Sequence, residues 1–203
     1  SSGIDLTAFA GLAERYGEDW ALHMPNITAE LQTAWSRFEQ SRLPVIALLH
    51  GFCLGMALEL ALACDFRIAA RHTQLGLPET RLGLIPDVGG TTRLTRLVGP
   101  ARAKELILTG KRIGAETAER WGLVNALVEP DDLLAHGEAL AAELAQAAPL
   151  AVSAAKRAID GLHDTARGLQ LEALLQQPLV QSRDFAVGVQ AALEKKPAEW
   201  EGR

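Results

Sequence analysis

The sequence has few cysteines, a deficit of positive charge and no long uninterrupted apolar run. Its 203 residues contain two cysteines, Cys53 and Cys64, without a CxxC pair or a His/Cys metal spacing. We therefore expect buried free thiols in a reducing compartment, the cytoplasm, and no metal site. With 20 Lys and Arg against 25 Asp and Glu, the net charge of −5 argues against a nucleic-acid or anionic-membrane partner.

Several catalytic and membrane signatures are also missing. The sequence contains no GxSxG, GxGxxG, HExxH or P-loop pattern, which argues against a serine nucleophile elbow, a dinucleotide site, a zinc protease and a phosphate loop. The apolar stretch 43–64 is long enough to span a membrane, but Pro44, Gly51, Gly55 and Glu59 interrupt it. We interpret it as a strand, a turn and a buried helix.

The periodicity of the apolar residues predicts an α/β part followed by an all-helical part. The continuous apolar run at 45–49 is typical of a buried parallel strand, and we interpret DFRIA at 65–69 as the next short strand. We assign residues 1–130 to an α/β core and residues 131–203 to a helical region. The other predicted elements are an irregular segment over 11–27, helices over 28–40, 91–99, 101–108 and 115–121, extended segments over 75–77 and 123–128, and helices over 131–147, 150–161, 166–177 and 181–194.

Three carboxylates stand out in and after the apolar stretch. Glu59 is the single formal charge between residues 43 and 64, and a buried carboxylate is costly unless it is paired, hydrogen-bonded or protonated. An ion pair with Arg67 or Arg71 is one interpretation of Glu59. Glu79 follows a proline and is typical of a helix start. Asp87 also follows a proline and is suited to capping a helix at Thr91. Taken together, the three acids suggest carboxylates that converge on a dry pocket for acid–base chemistry.

The turn between Gly51 and Gly55 is a second candidate feature. A glycine-containing turn that runs into a helix directs free backbone N–H groups at one point, where they can hold an anion or a developing oxyanion. The simpler interpretation is that both glycines permit a tight strand-to-helix turn. The residues alone leave both interpretations open.

Long ordered segments of the chain resemble one known family, the crotonase (enoyl-CoA hydratase/isomerase) superfamily. The resemblance is carried by SSGIDL (1–6), PVIALLHGFCLGMALELALACDFRIA (44–69), LGLPETRLGLIPDVGGTTRLTRLVG (75–99), LTGKRIGAETAERWGLVNALV (108–128) and EKKPAEWEGR (194–203). It implies a spiral of ββα turns with a C-terminal helical region that drives trimerisation, commonly into a dimer of trimers. It also implies an acyl-CoA thioester as substrate and no separate cofactor, since coenzyme A is part of the substrate.

The resemblance assigns roles to individual residues. The backbone N–H groups of Ser2 and Met56 correspond to the two donors that hold the thioester oxygen as it becomes an enolate. The expected substrate-binding residues are Ser2, Gly3, Ile4, Asp5, Gly55 and Met56. Glu59 and Glu79 match the two glutamates of the hydratases, in which Glu59 would orient water and Glu79 would exchange a proton with the water and the α-carbon. We therefore expect an enoyl-CoA hydratase of fatty-acid β-oxidation type.

Three departures from the hydratase pattern keep alternatives open. Asp87 stands where the best-known hydratases have glycine, and it matches an acid of the Δ3,5-Δ2,4-dienoyl-CoA isomerases, which would use Glu79 and Asp87. Met56-Ala57 replaces two glycines. About 50–60 residues that the family carries before the segment matching 1–6 have no counterpart in this sequence, so a non-catalytic acyl-CoA-binding subunit is a further alternative.

Overall fold

A computed structural model describes residues 1–5, 7–17, 19–161, 176 and 178–203. The chain forms two compact units. The first consists of Ser1–Glu39 and Val45–His136, and the second of Gln40–Pro44 and Gly137–Arg203. The predicted division at residue 130 stays a prediction, because a compact unit is not necessarily an independently folding domain.

The strands of the first unit form two small sheets. One sheet has the order β1-β3-β6 and is parallel, whereas in the other, of order β2-β4-β5, the β2/β4 pair is parallel and the β4/β5 pair antiparallel. The strands are β1 (Ile46–Leu49), β2 (Phe52–Leu54), β3 (Phe66–Ala70), β4 (Gln74–Gly76), β5 (Arg112–Gly114) and β6 (Ala126–Val128). Consecutive strands therefore alternate between the two sheets from β1 to β4.

The helices complete a ββα order that occurs twice. A helix follows β1 and β2, and another follows β3 and β4 after a short 3-10 turn at Glu79–Leu82. The helices of this part of the chain are α1 (Ala8–Tyr16), α2 (Met24–Glu39), α3 (Met56–Leu62), α4 (Gly90–Thr109) and α5 (Ala115–Arg120). The predicted break at residues 99–100 is confirmed, because Gly99 has non-helical torsion angles (φ 79°, ψ 163°) inside α4. This α/β arrangement brings α3 and the 3-10 turn to the same sheet edge.

The prediction of an irregular segment over 11–27 is wrong, since this part contains most of α1, a 3-10 turn at Trp20–His23 and the start of α2. The prediction failed because glycine and proline were taken as marks of irregular structure. Gly11 lies within α1, and Pro25 is the second residue of α2, where its missing N–H has no intrahelical partner to lose. The sequence analysis also missed β2, which lies inside the predicted glycine turn, and β5, each only three residues long.

The core of the first unit is built from fully buried leucine and isoleucine side chains. They come from α3, from both sheets and from α4, so that burying them fixes these elements together. Examples with no exposed surface are Leu58, Ile68, Leu75, Leu94 and Leu106. Neither cysteine forms a disulfide; Cys53 is buried as predicted, whereas Cys64 is only partly buried.

The α-helices described after β6 are α6 (Leu133–Leu144), α7 (Pro149–Asp160) and α8 (Arg183–Glu194). In the second unit, Asp184 is buried and accepts hydrogen bonds from the N–H groups of Glu201 and Gly202. The predicted helix over 166–177 lies outside the described residues except for residue 176. Within the described parts of the chain, no helix combines the length and the apolar character needed to cross a membrane.

Candidate active site

Glu59 lies on α3 with 2% of its surface exposed. Its Oε1 atom accepts hydrogen bonds from the N–H groups of Val88 (2.8 Å) and Gly90 (2.9 Å). Gly90 is required for this approach, because a Cβ atom there would lie 2.9 Å from the same oxygen and 2.6 Å from Cβ of Pro86. The segment before α4 therefore holds one oxygen of a buried carboxylate through two backbone donors.

The pKa of Glu59 is raised to about 7, chiefly by burial; the two N–H donors lower it, and the charges of Glu79 and Asp87 raise it. The interpretation of Glu59 as a partner of Arg67 or Arg71 is wrong. The Arg67 guanidinium donates to the carbonyl oxygens of Leu123, Ala61 and Cys64, and Arg71 pairs with Glu129. The carboxyl of Glu59 is thus poised to change protonation near neutral pH.

Glu79 begins the 3-10 turn that follows Pro78. Its carboxylate lies over Gly55, where a Cβ atom would be 2.9 Å from Oε1 of Glu79. Gly55 has φ 56° and ψ −130°, which side-chain-bearing residues rarely adopt. Oε2 of Glu79 is buried without a hydrogen-bond partner in the part of the chain that the structure describes. Burial raises the pKa of Glu79, its own backbone N–H lowers it, and the charge of Asp87 raises it.

Asp87 is partly buried and is held by α2. Its Oδ2 atom accepts a hydrogen bond of 2.6 Å from the Thr28 hydroxyl, and its main-chain oxygen accepts one of 2.6 Å from Nε2 of Gln32. The prediction that Asp87 caps a helix is wrong, since the N-cap of α4 is Gly89 and no side chain caps it. Asp87 precedes Val88, whose N–H binds Glu59, and Glu79 lies against Gly55 at the start of the Glu59 helix, so the structure brings the three predicted acids together.

The segment that carries Ser2 lies along β2. The amino group of Ser1 donates to the carbonyl oxygen of Phe52, and the N–H of Leu54 donates to the carbonyl oxygen of Ser1 (3.1 Å). A Cβ atom on Gly3 would lie 3.0 Å from the Leu54 oxygen and 3.5 Å from the N atom of Met56. Ser2 and Met56 therefore lie in neighbouring segments, and their roles as oxyanion donors stay predictions.

Ile4 and Asp5 are the outer members of the predicted substrate-binding set. Ile4 is 41% exposed. Oδ1 of Asp5 accepts hydrogen bonds from the N–H (2.9 Å) and the hydroxyl (2.8 Å) of Thr7, which lower the pKa of Asp5. The Asp5 carboxylate is thus engaged in the turn before α1, and a role in substrate binding for either residue stays a prediction.

The sequence analysis missed the polar face of α2. Besides Thr28 and Gln32, this face includes Ser36 and Glu39, which accept hydrogen bonds from Arg93. Arg93 also donates to the carbonyl oxygen of Val88 (3.2 Å). The spacing of these polar residues marks one helix face, but sequence alone does not distinguish it from an ordinary solvated face.

Across the described ranges, no group of three or more His, Cys, Asp or Glu side chains is arranged to hold a metal ion.

Comparison with known proteins gives consistent matches. The sequence model of the enoyl-CoA hydratase/isomerase family matches residues 1–203. YngF of Bacillus subtilis, which is named as an enoyl-CoA hydratase/isomerase, is 47% identical over 161 residues. The match covers 78% of this chain and 62% of YngF. A carnitinyl-CoA dehydratase of Salmonella arizonae is 42% identical over 165 residues, covering 78% of this chain and 63% of that protein. The match therefore spans less than two thirds of either relative's length.

The crystal structure of an enoyl-CoA hydratase from Bacillus anthracis superposes on the whole chain. Its TM-score is 0.91 at 40% sequence identity, and the match covers 100% of this chain and 76% of the hydratase. A shared fold at this level of identity agrees with the family match over the full length. This chain belongs to the enoyl-CoA hydratase/isomerase family.

Proposed function

We propose that this chain is an enoyl-CoA hydratase, which adds water in the syn sense to a 2-enoyl-CoA. The observation that carries the proposal is the convergence of a buried carboxylate, Glu59, and a partly buried one, Glu79, beside one turn. Glu79 lies against Gly55, and Glu59 follows on the helix that begins at Met56. The name of the Salmonella relative supports the same chemistry, because dehydration is the reverse of hydration.

The proposed reaction consumes one water molecule and no cofactor. The N–H groups of Ser2 and Met56 hold the thioester oxygen, and each such donor contributes about 3 to 4 kcal/mol to stabilising the developing charge. The water oxygen bonds to C3, and the C2–C3 π electrons move into the thioester to give an enolate. Glu59 orients the water, and Glu79 transfers a proton from the water to C2, which restores the thioester carbonyl.

A second candidate is Δ3,5-Δ2,4-dienoyl-CoA isomerisation, and the position of Asp87 favours it. Asp87 is near enough to Glu59 and Glu79 to raise the pKa of both. In this reaction one carboxylate removes the C2 proton, the electron pair is delocalised in an enolate conjugated with both C–C double bonds, and an acid delivers a proton to C6. No water is consumed. A non-catalytic acyl-CoA-binding subunit is less favoured, because all three acids are present.

The assembly and setting follow from the family and are part of the proposal. We propose a homotrimer or a dimer of trimers that uses the C-terminal helices, acting in the cytoplasm on acyl-CoA thioesters of fatty-acid β-oxidation. No nucleic acid or membrane partner is proposed, in keeping with the acidic composition.

The deciding experiment measures turnover of crotonyl-CoA and, separately, of a 3,5-dienoyl-CoA by absorbance. We expect hydration of crotonyl-CoA, and we expect Asp87→Asn to change its rate by less than about threefold, because hydration relies on the two glutamates. Turnover of the dienoyl substrate alone, abolished by Asp87→Asn, would instead establish the isomerase. Acyl-CoA binding without turnover of either substrate would favour the non-catalytic subunit.

A further inference from the structure

One helix holds both the side chain and the main chain of Asp87. Thr28 and Gln32 lie one turn apart on α2, and each makes a hydrogen bond of 2.6 Å to Asp87, the first to Oδ2 and the second to the carbonyl oxygen. Two short bonds from successive turns to one residue leave it little freedom to rotate or to shift.

The Thr28 bond differs from the usual behaviour of threonine in a helix. A helical threonine commonly donates back to the carbonyl oxygen four residues earlier. Thr33 does so on the same helix, bonding to the Ala29 oxygen at 2.7 Å. Thr28 instead donates to a carboxylate 59 positions away in the chain. A hydroxyl–carboxylate bond is charge-assisted, so it holds its geometry better than a neutral one.

The next residue along the chain is also anchored. Arg93 donates to the Val88 oxygen while its guanidinium is bonded to Glu39 of α2, with 11% of the Arg93 side chain exposed. The N–H of Val88 points the other way and binds Glu59. The backbone on the C-terminal side of Asp87 is therefore fixed, and the orientation of its carboxylate depends chiefly on Thr28.

We propose that Thr28 is a positioning residue that fixes the Asp87 carboxylate, leaving Oδ1 to face the reacting carbons, and thereby sets how much double-bond isomerisation accompanies hydration. This inference rests on the second candidate function, dienoyl-CoA isomerisation, because it requires that Asp87 exchange a proton with substrate. Thr28 itself takes no part in the transfer. One of Glu79 and Asp87 accepts the proton from C2, the other delivers a proton to C6 of the 3,5-dienoyl-CoA, and the Thr28 hydroxyl stays bonded to Oδ2.

The kinetic test compares three variants with the wild type. Thr28→Val removes the donor with little change in volume, Thr28→Ser keeps it, and Thr33→Val removes a hydroxyl on the same helix that does not reach Asp87. We expect Thr28→Val to lower kcat for isomerisation about tenfold or more with KM within about twofold, because misplacing a reacting group acts on the chemical step. Hydration should change by less than about twofold in all three variants.

Several outcomes overturn the inference. Isomerisation by Thr28→Val at the wild-type rate, loss of isomerisation in Thr33→Val, or failure of Thr28→Ser to retain it would each do so. A wild type that hydrates crotonyl-CoA but does not isomerise the dienoyl substrate also overturns it, while leaving the proposed hydratase intact.

A structural readout separates this inference from the proposed function. In crystals of the wild type and of Thr28→Ser we expect one Asp87 conformer, and in crystals of Thr28→Val we expect a rotated or divided side chain. An unchanged Asp87 in Thr28→Val shows that Thr28 does not position it. If the wild type turns over neither substrate, the proposed function fails, and these crystals still decide whether Thr28 fixes Asp87.

Discussion

Glu59 on α3 and Glu79 on the 3-10 turn at Glu79–Leu82 are acids of the same type in two differently built regions. Burial raises the pKa of both, and both sense the charge of Asp87. The regions differ in how they hold the carboxylate. Two backbone donors fix one oxygen of Glu59, whereas Oε2 of Glu79 is buried with no donor from the described residues.

This difference distinguishes a carboxylate that is held in a fixed position from one that transfers a proton. A carboxylate gripped by two N–H groups from a neighbouring loop keeps its position, and it suits the orientation of a water molecule. A carboxylate with one unsatisfied buried oxygen retains capacity to accept and release a proton in the reaction. Burial alone therefore does not define the role of an acid, and its donors have to be counted as well.

The largest expected effect is that of Glu79→Gln on hydration. We expect kcat for crotonyl-CoA to fall about 10²- to 10⁴-fold, because the glutamine amide cannot exchange the proton that the reaction moves. Glu59→Gln is the matched variant and should cost less, since a glutamine Oε1 can still accept from Val88 and Gly90. Steady-state kinetics at several pH values measure both. An equal fall of kcat in the two variants would show that Glu59 and Glu79 do not differ in role.

A second prediction concerns a variant that displaces the Glu79 carboxylate without replacing Glu79. Gly55→Ala places a Cβ atom 2.9 Å from Oε1 of Glu79, and we expect kcat to fall about a hundredfold as the carboxylate is displaced. Gly51→Ala is the control, because Gly51 has a similarly positive φ of 61° but nothing within 4 Å of the added atom. It should cost about 1–2 kcal/mol of unfolding free energy and leave kcat unchanged.

Kinetics and urea denaturation of both glycine variants check this prediction. An equal loss of kcat in Gly51→Ala would mean that backbone strain, and not contact with Glu79, is responsible.

The third and smallest effect concerns stability and Glu59. Because its pKa in the folded protein is about 7 and lies above its unfolded value, the folded state binds the extra proton. The stabilising contribution is fully present below the unfolded pKa and is lost as pH rises through about 7. The difference in unfolding free energy, Glu59→Gln minus wild type, is therefore expected to rise by about 2 to 3 kcal/mol between pH 5 and pH 8.

Urea denaturation of wild type and Glu59→Gln across this pH range tests the sign. The change with pH matters more than the absolute difference, because the cost of burying a glutamine amide is the same at each pH. A relative stability that is constant or falls with pH would show that Glu59 is not held protonated by burial.

Much of the acid pocket was predictable from the sequence. A single charge in an apolar helix drew attention to Glu59, and acids after prolines marked Glu79 and Asp87. The strand at 46–49 and the break at Gly99 were also readable, because apolar runs and glycine–proline pairs act locally.

What could not be predicted depends on contacts between distant parts of the chain. Local sequence does not reveal that the donors to Glu59 come from Val88 and Gly90, or that Thr28 reaches Asp87. The strand β2 escaped notice because three residues are too few to establish a period, and its pairing with β4 is a tertiary effect.

The contact between Gly90 and Glu59 limits which substitutions can accumulate at these two positions during evolution. A side chain at position 90 would meet both Cβ of Pro86 and the Glu59 carboxylate, so substitutions of Gly90 are selected against. Shortening the acid would remove the contact with Glu59 but not the one with Pro86, and it would withdraw the carboxylate from the Val88 and Gly90 donors. Positions 59 and 90 therefore restrict which residues can replace each other's side chains, although 31 residues separate them in the chain.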